Sequence, residues 1–366
     1  MIFESRKKAQ ITVQFNWIFI LVAGAVILGF FTMMAVRQKS SATVAINARV
    51  KENLASIFEG ARLGSGTSSL IRTSDIEINF ICEDSGYSVY EVSGLTTQIS
   101  SDVTFAPMEL KGQNLVTWSY NWNLPYSIMN FLFISSTQSR YIFLYDEGNA
   151  GSVVLKEYIN DTIPNHFTAD YYTDIGDIYN LNDMNTRVIY LSMGVQANDL
   201  AFLREEFLDK GNKVSAISII PFFSDAPYEN GELRFYEEEI IDSGSNAFAE
   251  SYYLGSASLF GAVFSDTKEY YDCNMRKAFR RLNYINNVFW EKIIDMQVYY
   301  RTIEHDPACS SVYSAARNIF RDINESSYEI MNSGDYMDEY ANMISYAESL
   351  KDQNQEAQIK SCDVIY

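Results

Sequence analysis

The chain of 366 residues holds two histidines, His166 and His305, so any Ser–His–Asp chemistry has to pass through one of them. Both sit among polar neighbours. His305 lies in Glu304-His305-Asp306, a helix connection, where a solvated loop residue is expected rather than a general base. Cysteine is also scarce: Cys82, Cys273, Cys309 and Cys362 form no CxxC pair, so the clustered ligands of a zinc site are missing. Glycine-rich phosphate signatures are absent, both G-x-G-x-x-G and G-x-x-x-x-G-K-[ST]. Gly255-Ser256-Ala257-Ser258 lacks the second glycine of a nucleophile elbow. No calcium loop of the D-x-[DN]-x-[DN]-G form occurs, and a surface loop is the better reading of Asp174–Asp183 than a weak cation site. No cofactor is expected. Acidic residues are so abundant that no chosen carboxylate pair points to acid–base chemistry, and an enzyme is the less favoured reading.

Positive charge is short as well. The net charge is −19, and residues 1–36 carry Arg6, Lys7 and Lys8 against Glu4, so the remainder is more acidic still. Nucleic-acid affinity comes largely from neutralising phosphates. With no basic run downstream, nucleic acid is excluded as a partner. An acidic surface suits a soluble exterior domain. Tyrosine is abundant at 26 residues, most of them read as ordinary packing.

What the chain does have is one long apolar run. Residues 17–36 (WIFILVAGAVILGFFTMMAV) contain no charge. At about 1.5 Å per residue such a run crosses a hydrocarbon core of about 30 Å. A removable signal would have an apolar part of roughly 7–15 residues and a small-residue cleavage site. This run is longer and ends in FFTMMAVRQK. A retained transmembrane helix is expected, with the lipid bilayer as partner. Basic residues flank both ends (Arg37, Lys39, Arg49 and Lys51 follow it), so charge alone sets no orientation. The short basic tail and the cysteine-bearing bulk favour a single-pass protein of the cell membrane, with a cytoplasmic N-terminus and most of the chain extracytoplasmic.

The stretch RKKAQITVQFNWIFILVAG resembles the class III signal of archaeal type IV pilin-like proteins. In that family a basic pair and a small residue precede a glutamine, and a prepilin peptidase cuts before it. The resemblance implies cleavage between Ala9 and Gln10, Gln14 where bacterial pilins place an acidic residue, and other membrane or pilin-like subunits as partners. It covers about the first tenth of the chain; Asn16 and the large downstream region depart from small pilins. An uncleaved signal anchor fits the same residues.

The expected fold is α+β with an α/β part: a basic leader at 1–9, a membrane helix at 10–36, an amphipathic juxtamembrane helix at 37–66, a β-rich region at 67–135, an α/β region at 136–265 and helical hairpins at 266–366. Ile46, Val50, Leu54, Ile57, Phe58 and Ala61 recur at helical spacing before Gly64 and Gly66. Continuous with the span, this makes a rod of about 80 Å, or else a stalk that packs on its own domain. IEINFIC, YSVYEV, LTTQIS, DVTFAP and NLVTWSYNW read as antiparallel strands, with turns at Glu83–Gly86 and Lys111–Gln113. Further on, Ile142–Tyr145, a helix over about 152–160, Phe167–Tyr172, Arg187–Leu191, a helix capped by Asn198 and closed by Gly211, and Val214–Ile220 read as two right-handed βαβ units. Leu233–Tyr236 and Ser258–Phe264 are read as edge strands.

The last part carries three apolar stripes: Met275 to Tyr300, Val312 to Ile323 after the Asp306-Pro307 start, and Tyr336 to Leu350, with Gly334 and Asp335 between the last two. Short connections make neighbouring helices antiparallel. Cys273 is then at the bottom of the first helix, while Cys309 and Cys362 are both at the top. Bridged Cα atoms lie within about 7 Å, so the expected disulfides are Cys309–Cys362 and Cys82–Cys273.

Ligands in open α/β sheets bind beyond the C-terminal strand ends. Those ends offer Asp146, Glu147, Ser192 and Asp225 as weak ligand-site candidates, although Asp146–Gly151 reads best as a structural turn. The expected function is a membrane-anchored extracytoplasmic surface protein with a structural, adhesive or pilin-like assembly role. The alternative is a tethered ligand-binding or hydrolytic domain using the α/β region. The sequons at Asn160 and Asn324 leave N-glycosylation open.

Overall fold

The computed structural model describes residues 20–34, 52, 54–58, 60, 64–83, 88–92, 95–99, 103–181, 184–245, 247–332 and 337–366. The leader, the Ala9–Gln10 junction, Gln14, the turn at 84–86, Gly334 and Asp335 lie outside them. The chain divides into two units, Met1–Leu54 and Ala55–Tyr366.

In the first unit, residues 20–34 are helical (α1). Its apolar side chains are exposed on all sides, Ile20 at 67%, Leu28 at 72% and Phe31 at 63% among them. Thr32 satisfies its hydroxyl within the helix, donating to Leu28 O at 2.7 Å. As described, α1 is shorter than the ~20 residues a membrane span needs. Among the described residues no helix is long and apolar enough to cross a membrane.

The second unit is mixed α+β, with two mixed sheets and C-terminal helices. Phe58, which is helical, is buried against Phe80 and Tyr90. The first sheet runs in the order β3 (Leu95–Ile99), β2 (Ser88–Val92), β1 (Ser68–Cys82), β5 (Glu109–Asn123), β6 (Ser127–Ser136), β4 (Thr104–Phe105). It is an antiparallel meander with β4 added in parallel beside β6. The turn expected at Lys111–Gln113 is instead a strand irregularity. Pairing slips from Arg72↔Asn114 to Ile76↔Gly112, and Gly112 takes φ 143° there. A glycine tolerates that backbone, so the segment bends without leaving the sheet.

The second sheet has the order β12 (Ala249–Leu254), β11 (Asn230–Tyr236), β10 (Val214–Pro221), β9 (Asn185–Leu191), β7 (Ser139–Tyr145), β8 (Thr168–Tyr172). The last four are parallel, and β11 and β12 return antiparallel. α2 (Ala150–Thr162) links β7 to β8, and α3 (Ala197–Glu206) links β9 to β10. Side chains alternate between two cores, as a strand's period of two requires. Tyr141, Phe143, Ile189, Leu191, Ile217 and Ile219 belong to the large core that also holds Leu155 and Ile159 of α2. Ile142, Leu144, Val188, Tyr190, Val214 and Ala216 pack with Leu200 and Leu203 of α3 and with Ile241 of α4 (Glu238–Ser243). The N-cap of α3 is Gln196 and not Asn198. Gln196 and Asp199 form a reciprocal capping box, which starts the helix two residues early.

Residues Ser258–Phe264, expected as an edge strand, form helix instead: α5 (Ser256–Phe264). A short run that is apolar after its first residue has no period to separate strand from buried helix. Every residue from Ala257 to Phe264 is buried. Phe260 meets Trp118 at 4.9 Å, and Phe264 meets Tyr141 and Phe167 at 4.8 Å. α5 thus fills the space between the sheets. Gly261 makes this fit: a Cβ there would stand 2.8–2.9 Å from the Phe105 ring.

The C-terminal part is α6 (Lys268–Thr302), α7 (Pro307–Asn332) and α8 (Met337–Ile359). Asp306 Oδ1 caps α7, accepting from Ala308 N at 2.8 Å and Cys309 N at 3.1 Å. Tyr340, Met343, Ala347 and Leu350 of α8 are buried. Cys309 pairs with Cys362, Cα atoms 5.7 Å apart, and Cys82 pairs with Cys273 at 6.1 Å. The second bond ties β1 to α6.

Candidate functional site

The four candidates at the C-terminal strand ends fall into two pairs. Asp146 and Ser192 are joined through neighbours. Asp146 Oδ1 accepts from Gly148 N at 2.8 Å, and Asp146 N donates to Ser152 Oγ at 3.0 Å. Ser152 Oγ donates to Leu191 O at 2.7 Å. Asn149 caps α2, accepting from Ser152 N at 3.2 Å, and its Nδ2 donates to Ser192 O at 3.5 Å. Ser192 itself takes φ 57°. Asp146, Glu147 and Asp225 are exposed and Ser192 is half-buried. Beside Asp225, Ser224 lies against Gly151, where a Cβ would be 3.5 Å away. Gly151 and Ser152 in the first turn of α2 are therefore buried against the chain's own side chains. Of its N-terminal N–H groups, which would cradle an anion, that of Ser152 is capped by Asn149 Oδ1 and that of Val153 by Asn149 O.

The opposite ends of the same strands border a cleft of about 400 Å³. Phe80, Met108 and Tyr141 give it apolar walls; Arg187, Lys213 and Asp266 give it charge. Strand pairing brings these together. Arg187 is in register with Tyr141 on β7 and Ser215 on β10. The Arg187 side chain is buried, with Nη1 donating to Asp266 O and Nη2 to Ala262 O, both at 3.2 Å. The Phe235 ring lies 5.6 Å from its guanidinium carbon. Burial pulls the guanidinium down to about 10, against the opposing pull of Asp266, Tyr141 and Glu237. Its Nε–H is buried without a hydrogen-bond partner, as is the Thr186 hydroxyl next to it.

The carboxylates around the cleft respond in opposite directions. Burial raises Asp266, although Arg187 and an N–H from Met108 at 2.9 Å oppose it. Glu237 is raised by burial and then by Glu269. Glu109 is lowered, because Lys111 and Lys213 both donate to it. Arg140, at the start of β7, is fully engaged: Nε donates to Asp170 Oδ2 at 2.6 Å, Nη1 to Tyr179 O at 2.7 Å and Nη2 to Tyr172 OH at 3.0 Å. It holds the β7–β8 edge together.

Neither histidine lines this cleft. His166 Nδ1 is 3.3 Å from Ser68 Oγ on the surface, and His305 sits in the α6–α7 connection at φ 52°. The cleft can therefore hold a small molecule between apolar walls and a guanidinium, but it offers no nucleophile with an imidazole base. Asp174 of the acidic loop spends its carboxylate on Gly176 N at 2.8 Å. Among the described residues no three acidic, cysteine or histidine side chains are grouped to hold a metal ion. The sequence did carry one signal for this end. Arg140 and Arg187 stand near the starts of two otherwise apolar strands, and a charge in a buried strand needs partners.

The folded unit is thus a two-sheet α+β domain with a doubly wound parallel segment. No protein-family model, curated protein or solved structure matches the chain, so function rests on the geometry.

Proposed function

We propose that the protein is a membrane-anchored, extracytoplasmic surface protein whose disulfide-tied domain serves a structural, adhesive or assembly role. The observation that carries this is the engagement of all four cysteines in two disulfides, with no free thiol left. Such bonds persist in oxidising compartments. The exposed apolar surface of α1 adds support, since a helix apolar on all sides needs lipid or protein around it. On this reading residues 10–36 lie in the bilayer, residues 1–9 are cytoplasmic, and cleavage at Ala9–Gln10 admits pilin-like partners. The filled C-terminal strand ends favour this role over a site built from Asp146, Glu147, Ser192 and Asp225.

Protease shaving of intact cells tests it. Residues 63–366 are expected to be digested from outside, and the cysteines to resist alkylation until reduced. Protection of that region in intact cells overturns the topology. The mass of the native N-terminus tests processing: a chain starting at Gln10 supports it, and one starting at Met1 removes it.

A second reading, a tethered ligand-binding domain, has one observation in its favour: the cleft at the N-terminal strand ends, with the unpartnered Nε–H of Arg187 in its wall. Its volume lies within the range of small-molecule sites.

A further inference from the structure

Asn160-Asp161-Thr162 and Asn324-Glu325-Ser326 share one sequence pattern, N-x-[ST], but the fold treats them in opposite ways. Asn160 lies on the outer face of α2, opposite the buried Leu155 and Ile159, and is exposed together with Asp161. Its Nδ2 makes a long bond to the neighbouring Asp161 Oδ1 at 3.4 Å. The tripeptide closes the helix, which ends at Thr162. Opening it breaks the last backbone bonds of α2 together with those of Thr162 Oγ1 to Tyr158 O and of Ile163 N to Ile159 O, all at the end of an element, where local opening costs least.

Asn324 lies in the middle of α7, on its contact with α6. Its Oδ1 accepts from Asn283 Nδ2 at 3.2 Å and from Asn286 Nδ2 at 2.8 Å, and its Nδ2 donates to Asn287 Oδ1 at 2.8 Å. Asn286 is fully buried and also donates to Phe320 O at 2.6 Å. Ser326, the hydroxyl residue of the tripeptide, is buried. Asn324 borders an open groove shared with Asn342 and Tyr346, so the obstacle is the engaged amide and not distance from solvent. Presenting this tripeptide in extended form requires breaking α7 between the buried Phe320 and Ser327.

We propose that Asn160 is an N-glycan acceptor of the exported protein and that Asn324 is not. The proposal rests on the extracytoplasmic reading above. The donor class is a sugar carried on a polyprenyl phosphate or diphosphate. Nδ2 of Asn160 bonds to the sugar's anomeric carbon. The bond from that carbon to the donor's phosphate oxygen breaks, and the phosphate leaves with the electron pair. The amide nitrogen gives up one proton, and nothing is oxidised or reduced. A glycan on Asn160 projects from the outer face of α2 without touching the core. One on Asn324 removes a hydrogen from the nitrogen that holds Asn287 and puts a sugar on the contact between α6 and α7.

Glycopeptide mass spectrometry on the full chain, purified from the membranes of its own host, tests this, with external protease digestion of intact cells run in parallel. The tryptic peptide of residues 157–187 is expected to carry a sugar mass on Asn160, and that of residues 322–351 to be unmodified. Asn160→Gln removes the sugar, and Asn324→Gln leaves it in place. A bare Asn160 in a chain whose domain is digested from outside overturns the proposal alone, as does a glycan on Asn324. A domain protected from outside overturns the extracytoplasmic reading and the proposal with it.

Discussion

At the C-terminal ends of β7, β9 and β10 the loops are tied to one another; at the N-terminal ends of the same strands charged side chains surround open space. The first end contains the groups that usually make a binding site, a helix N-terminus and a topological switch point. Yet Asn149 caps that helix, Ser152 ties Asp146 N to Leu191 O, and Ser224 lies against Gly151. The second end is bordered by the N-caps of two helices, Glu237 of α4 and Thr267 of α6, and it keeps a buried guanidinium whose donors outnumber their partners. Position in a fold is therefore a weaker guide to a site than the accounting of its polar atoms. Where donors and acceptors are spent on each other, the end is architecture.

Breaking the cleft end should cost the most. Arg187→Met keeps an apolar stem but removes the side-chain donor to Asp266 O, leaves Ala262 O with only the N–H of Ser265, and removes the positive charge facing Asp266. A loss of about 3 kcal/mol is expected, read as a lower urea midpoint with the disulfides intact. A loss below about 1 kcal/mol would mean that the guanidinium is held for ligand binding rather than for the fold. At the tied end, Ser152→Ala removes one hydroxyl that accepts from Asp146 N and donates to Leu191 O. About 2 kcal/mol should be lost, and amide exchange should quicken at Asp146. Asn149→Ala removes the α2 cap and the bond to Ser192 O, for about 1 kcal/mol. If it costs more than Ser152→Ala, the tie runs through the cap and not through the serine.

Much of this fold was legible in the chain because its elements carry clear periods. The two βαβ units, the antiparallel strands and the three long helices all show theirs. Helix direction alone led to the cysteine pairs that the structure holds. Reading failed where a period was missing or a local rule had a rival. Ser256–Phe264 is apolar but for its two serines and shows no period, and its helix fits through Gly261 meeting Phe105, a contact across more than a hundred residues. Lys111-Gly112-Gln113 has turn composition, but the pairing with β1 keeps it in the sheet. The candidates at the C-terminal strand ends rest on position in the sheet alone. Asp146 and Ser192 stand where ligands bind in open α/β sheets, and nothing local reveals that Ser152 ties the Asp146 and Leu191 backbones together there. The cleft depends on Arg187, Asp266 and Met108 meeting, which no spacing in the sequence encodes.

The finest test changes a slope rather than a midpoint. Asp266 is raised in the folded protein above its ordinary value of 3.8, chiefly by burial. Between that value and the raised one the folded chain holds more protons than the unfolded chain, so stability falls as pH rises across the window. Glu237, also raised, acts in the same direction. Glu109 acts in the other: it is lowered by Lys111 and Lys213, and its contribution is present above 4.5 and lost as pH falls through its folded value. Asp266→Asn keeps an oxygen for Met108 N but removes the titration. Its urea midpoints, measured from about pH 4 to pH 7, should decline less with rising pH than those of the parent chain. The acid limb set by Glu109 should be unchanged. An identical decline in both proteins would place the proton uptake on Glu237 and detach Asp266 from the charge balance around Arg187.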